Sequence, residues 1–145
     1  MMSNHRHQAR EFVVQALYQW LLNQQPVAAL MNQLREREGD ADLDETLCVN
    51  LLQGTVAHAT ELDQRLSRYL DRPASALSPV EHAVLLLGAE ELIHHLEVPY
   101  RVVINEAVEL AKTFGGTDGH KYVNGVMDKL ATEVRGVETS SRIRR

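Results

Sequence analysis

Residues 83–93 read AVLLLGAEELI, apolar around most of the circumference that an α-helix would give them. A helix with a single apolar stripe rests on a surface, whereas one that is apolar nearly all round has to be enclosed by other helices. Its start is spelled out by Ser78, Pro79 and Glu81 at the N-cap, N1 and N3 positions. Serine and glutamate there can satisfy orphan N–H groups, and proline removes one. A chain holding this segment needs enough amphipathic helix elsewhere to surround it.

Residues 99–131, PYRVVINEAVELAKTFGGTDGHKYVNGVMDKLA, supply two such helices. Tyr100, Val103, Ile104, Ala107, Leu110, Ala111 and Phe114 fall at the i, i+3, i+4, i+7 spacing of one stripe, opposite Arg101, Asn105, Glu109 and Lys112. Pro99 suits a first turn, and Gly115 and Gly116 stop the helix because glycine accepts φ > 0. After a short connector, Val123, Val126, Met127, Leu130 and Val134 share one side of the next helix. Asn124-Gly125, a hairpin signal between alternating runs, here interrupts helical spacing, and Gly125 is read as a point of close approach by another helix or a ligand. Asn105 and Glu106, at the border of the stripe, are surface groups, interhelical links or partner contacts.

Upstream, Ala9, Phe12, Val13, Ala16, Leu17 and Trp20 predict a helix over 9–22. Beyond Pro26, a short helix uses Val27, Leu30, Met31 and Leu34 and ends near Gly39. A long helical pattern over 44–70 uses Leu47, Leu51, Leu52, Thr55, Val56, Ala59, Leu62, Leu66 and Tyr69, with Gly54 marking a close crossing or a bend. Residues 71–77, holding Pro73, form the expected hinge, with three helices before it and three after. No sustained alternation is present, so the fold class is all-α. At 145 residues the chain is expected to be one domain, with subdomains 5–70 and 78–135 and a flexible polar tail over 136–145.

Enzyme chemistry finds no foothold. Glu91 and His94 make one E-x-x-H, but di-iron bundles need a second and further inward carboxylates. His94 and His95 are read instead as capping the polar end of the core helix, and no metal or other cofactor is expected. The acids Asp40, Asp42 and Asp44 lack the glycine and distal glutamate of a calcium loop, and are read as leading into a helix start. The glycine loop at 115–119 lacks phosphate-loop spacing, and the lone Cys48 sits among leucines, where a thiol is inert and no internal disulfide can form. A single cysteine, no apolar run of membrane length and no apolar signal core in the first ten residues point to the cytoplasm, with no membrane partner.

The net charge of −5 is unevenly spread: residues 36–45 are mostly acidic, whereas the first ten carry Arg6, Arg10, His5 and His7 and no acid. Such a local basic footprint permits RNA binding at one face. Arg10, Val14 and Tyr18 form an i, i+4, i+8 column on the first helix. Cation plus aromatic suits single-stranded RNA, although solvated arginines and a half-buried tyrosine would give the same pattern.

The words INEAVELAK and KYVNGVMDKLA, with VPYRV before them and QALYQW near the N-terminus, resemble the NusB family of bacterial RNA-binding transcription antitermination factors. The order is right and nearly the whole chain is covered. The resemblance implies six to seven helices arranged as two three-helix bundles around the central apolar helix, with no enzymatic activity. It further implies binding of boxA-type leader RNA together with the ribosomal protein NusE, in an antitermination complex on RNA polymerase that supports transcription of rRNA operons. Position by position, it puts RNA contacts on Arg6, His7, Arg10, Tyr18, Lys121, Tyr122 and Asn124, and protein-partner contacts on Glu81, Phe114 and Asp118.

Two departures stand out. His5 and His7 flank a single Arg6 where the family commonly has consecutive arginines, implying weaker, more pH-sensitive RNA binding. Leu86 and Glu90 replace the arginine and tyrosine of the family's L-R-x-A-x-Y-E-L. They motivate the alternative of a protein-binding helical homodimer with a weakened RNA surface. Similar domains also precede RNA cytosine methyltransferases, but this chain has no Rossmann-like glycine fingerprint, and methyl transfer by it is not expected.

Overall fold

The computed structural model describes residues 5–36, 44–116 and 118–143, the side chains of residues 34, 35 and 141–143 excepted. Among them the chain forms α1 (His5–Asn23), α2 (Val27–Arg35), α3 (Glu45–Ala57), α4 (Ala59–Ser67), α5 (Pro79–His94), α6 (Tyr100–Phe114), α7 (Gly119–Val134) and α8 (Gly136–Ile143). A 3-10 turn, Ala74–Ala76, leads into α5, and no strand occurs among the described residues.

α5 begins as its sequence requires: Ser78 Oγ accepts the Glu81 N–H at 3.1 Å, and proline opens the first turn. Every residue from Ala83 to Leu92 is buried, because α1, α3, α4, α6 and α7 all pack on this helix. The stripes of α6 and α7 face it and each other, burying Val103, Ile104, Ala107 and Leu110 on one and Val123, Val126, Met127 and Leu130 on the other. At the start of α3, Asp44 accepts the Leu47 N–H at 3.1 Å, the capping role read for that end of the acidic run. Gly39, Asp40 and Asp42 lie outside the described residues. Cys48 is buried, with Sγ 3.7 Å from the Ala9 carbonyl oxygen.

Four expectations are corrected. The helix expected over 44–70 is two helices, broken at His58 (φ −99°, ψ 7°). The cause is tertiary: Gly54 lies so close to α5 that a Cβ would sit 2.4 Å from Glu90 Oε2, and His58 Nδ1 lies 2.9 Å from Oε1 of the same carboxylate. Gly125, by contrast, is exposed with nothing within 4 Å of a built Cβ, so no neighbouring helix approaches it, and the close approaches within the fold belong to Gly54, Gly88 and Gly119. Gly115 ends α6 in an extended conformation (φ −95°); glycine is favoured because a Cβ would meet the Ala111 carbonyl oxygen at 2.7 Å.

The fourth correction concerns the C-terminus, where residues 136–143 are a helix rather than an unstructured tail. The Glu138 carboxylate accepts the Tyr100 N–H at 3.0 Å and pairs with Arg135 at 2.9 Å. Pro99 offers no side-chain cap to α6, so Glu138 supplies from α8 the acceptor that an orphan first-turn N–H needs. Arg135 is buried and donates to the carbonyl oxygens of Leu92 (2.8 Å), Val98 (3.0 Å), Glu91 (3.2 Å) and His95 (3.2 Å). It thereby caps the C-terminal end of α5, a favourable place for a cation.

Candidate nucleic-acid and partner interface

α1 starts at His5, which places Arg6 and His7 on its first turn. Arg6 is exposed, beside Asp44, Pro99 and Val102. Arg10 is not a surface cation: it is 3% exposed, with Nε and Nη2 each 2.8 Å from a different oxygen of Glu91 and Nη1 3.4 Å from Glu106. The reading of Arg10 as an RNA contact is therefore corrected. With its hydrogen bonds turned inward, it ties α1 to α5 and α6. The column it was read in fails with it, since Val14 is also buried and only Tyr18 emerges.

His7 is likewise engaged. Its Nδ1 lies 2.9 Å from Glu106 and its Nε2 3.2 Å from Glu11. Glu106 is thus the interhelical link among the roles its sequence position left open. Burial pulls the His7 pKa down, but the hydrogen bond and charge of Glu106, with the charge of Glu11, outweigh it and raise the pKa above 6.5. A group raised on folding stabilises fully below its ordinary pKa, and that contribution is lost as pH rises through the raised value. Urea unfolding at about pH 6 and about pH 9 is expected to show a larger alkaline loss for the native chain than for His7→Gln. The difference should stay below about 1 kcal/mol because the pair is partly solvated.

Tyr18, 37% exposed, lines an apolar groove with Val14, Gln15, Gln19, Val80 and Phe114. One residue beyond Val80, Glu81 opens a second depression with Arg72, Gly116, Asp118, Gly119 and Tyr122. The two adjoin across the first turn of α5. Gly119 lies close against Glu81 in the second, where a Cβ would sit 2.8 Å from Oε2 and the carboxylate would have to move aside. Lys121 and Asn124 are exposed on α7, with Lys121 Nζ 3.7 Å from Asp118.

Tyr122 is committed on both sides. Its hydroxyl donates to Asp71 Oδ1 at 3.1 Å and accepts the Asp71 N–H at 3.2 Å, while Arg72 lies 5.0 Å above its ring. Sequence reading missed Arg72 because the ring it covers lies fifty residues away, and its ion pair with the adjacent Asp71 sits in a stretch that carries only hinge signals. A base stacking on Tyr122 would have to displace that guanidinium or share its face.

The site residues thus separate into two groups. Arg6 and His7 stand on the first turn of α1; Tyr18 and Phe114 line the groove farther along it, Glu81, Asp118 and Tyr122 line the adjoining depression, and Lys121 and Asn124 are exposed on α7. At 1.5 Å per residue, Arg6 and Tyr18 are about 18 Å apart along the helix.

The NusB family profile matches residues 7–132. The chain belongs to the NusB family. The transcription antitermination protein NusB of Ralstonia pickettii is 52% identical over 137 residues, covering 94% of this chain and 88% of that relative. The NusB of Burkholderia cenocepacia is 52% identical over 142 residues, covering 98% of each. Among solved structures, T. maritima NusB matches with a TM-score of 0.79 at 31% identity, over 91% of this chain and 94% of that one. A chain from the complex of antitermination factors NusB and NusE with dsRNA matches with a TM-score of 0.80 at 26% identity, over 91% and 99%.

NusB proteins are transcription antitermination factors and not enzymes. The all-α class expected from the resemblance holds, with eight α-helices among the described residues in place of six or seven. Among the same residues no helix is long and apolar enough to cross a membrane. Leu86 and Glu90, the two departures from the NusB core-helix pattern, are 0% and 2% exposed. They are interior substitutions, so they give no ground for a decayed RNA surface or for the homodimer reading built on it.

Proposed function

We propose that this NusB-family chain binds boxA-type RNA together with a NusE-type ribosomal protein, as part of an antitermination complex on RNA polymerase that serves rRNA operons in the bacterial cytoplasm. The observation that carries this is the likeness to the NusB chain solved with NusE and dsRNA, which this fold matches over 99% of that chain's length. In this reading Arg6, Lys121 and Asn124 reach the RNA, and Tyr18 and Tyr122 offer ring faces. Glu81, Phe114 and Asp118 meet the protein partner. Arg10 and His7 act behind the surface, holding α1 at its angle to α6. Because Tyr18 and Phe114 line one groove, RNA and protein footprints meet there, and each bound ligand raises the effective concentration of the other.

A gel-shift titration with a boxA-like RNA, alone and with NusE, provides the test. Binding at low salt that tightens when NusE is added is the expected result; no shift in either case would end the reading. Lys121→Ala should weaken binding and reduce the slope of log K against log salt by about one, the signature of a lost phosphate contact.

A further inference from the structure

The E-x-x-H of the core helix does not converge, because Glu91 is held by Arg10; the carboxylate that gathers histidines is Glu90. It is 2% exposed. His58, at the junction of α3 and α4, places Nδ1 2.9 Å from Glu90 Oε1, and His95 places Nε2 3.3 Å from Oε2. His94 stacks on His58 with ring centroids 4.0 Å apart. One ligand atom from each of His58, Glu90 and His94 lies within 4.8 Å of the other two. Both rings are partly exposed, so a cation has a path from solvent to a carboxylate that is otherwise enclosed.

We propose that His58, Glu90 and His94 bind a divalent transition ion of the zinc class, with His95 bracing the far oxygen of the Glu90 carboxylate. Two imidazole nitrogens and one carboxylate oxygen suit zinc, cobalt or nickel, whereas calcium and magnesium take oxygen ligands. In a tetrahedral site with bonds of 2.0–2.1 Å, donor atoms stand about 3.3 Å apart. Rotation of two partly exposed imidazoles covers the remaining distance. His94 gives up an exposed contact to Glu61 at 3.3 Å and loosens its stack on His58. The hydrogen bond from His95 is the outer support that a ligating carboxylate needs. Three protein donors leave a fourth position open to solvent. The ion would fasten the α3–α4 junction to the end of α5, a role independent of the RNA reading.

The test is a Co²⁺ titration of the full-length chain without a polyhistidine tag, near pH 7.5, read by visible d–d absorption and followed by Zn²⁺ competition. A one-to-one band displaced by Zn²⁺ is expected, with a rise in thermal midpoint on adding Zn²⁺. His94→Ala leaves the Glu90–His58 contact in place; it and Glu90→Gln should each weaken Co²⁺ binding at least tenfold and remove the Zn²⁺-dependent rise. His7→Gln, at a distant histidine, should change neither. Absence of a one-to-one band, or equal affinity in native protein and His94→Ala, would show an imidazole–carboxylate cluster without an ion and overturn the proposal.

Discussion

Arg10→Ala should lower the unfolding free energy by about 3–5 kcal/mol, the range for removing one partner of a buried ion pair. Both side chains are enclosed, that of Arg10 4% and that of Glu91 3% exposed, and two hydrogen bonds of 2.8 Å join them. Without the guanidinium, the Glu91 carboxyl is left inside the helical core with its main donor gone. The attraction itself is not the source of the loss, since solvation surrendered by both ions offsets much of it. Arg10→Met combined with Glu91→Leu should therefore recover most of the stability lost in Arg10→Ala, and a double-mutant cycle in urea isolates the coupling. A loss below about 1 kcal/mol for Arg10→Ala would show that the pair is not formed in solution. In RNA titrations of the folded fraction, the salt slope of Arg10→Ala should match that of the native chain, unlike Lys121→Ala.

Arg135→Ala comes next, with an expected loss of about 3–4 kcal/mol. Hydrogen bonds to charged donors contribute about 1.5–3 kcal/mol each, and Arg135 makes four to backbone carbonyls besides its pair with Glu138. They do not add fully, because water can reach part of the vacated end. Arg135→Lys keeps the charge but replaces a planar fork with a point donor that cannot serve carbonyls in several directions. Thermal unfolding followed by circular dichroism should place Arg135→Lys nearer to Arg135→Ala than to the native chain. Full recovery by lysine would mean that charge alone matters at this position.

What the sequence made legible is what is local. The enclosed α5, its serine cap and the stripes of α6 and α7 follow from spacing, because three or four residues along a helix are neighbours whatever the rest of the fold does. The pairs that decide the site are not local. Arg10 meets Glu91 across 81 positions, His58 meets Glu90 across 32, and Tyr122 meets Asp71 across 51. No short window holds both members, so Arg10 reads as a surface cation and the run through His58 reads as unbroken helix. The polar composition of 136–143 misleads for the same reason, since its anchor is the amide of Tyr100. Family resemblance located the candidate surface, and it could not tell which of those side chains point inward.

Arg135 has one further bearing. The NusB family profile stops at residue 132, three short of the guanidinium that closes the core helix, while the likeness to the Burkholderia cenocepacia relative spans 98% of the chain. A fragment ending at residue 132 would keep α6 and most of α7, yet leave the last turn of its central helix open to water.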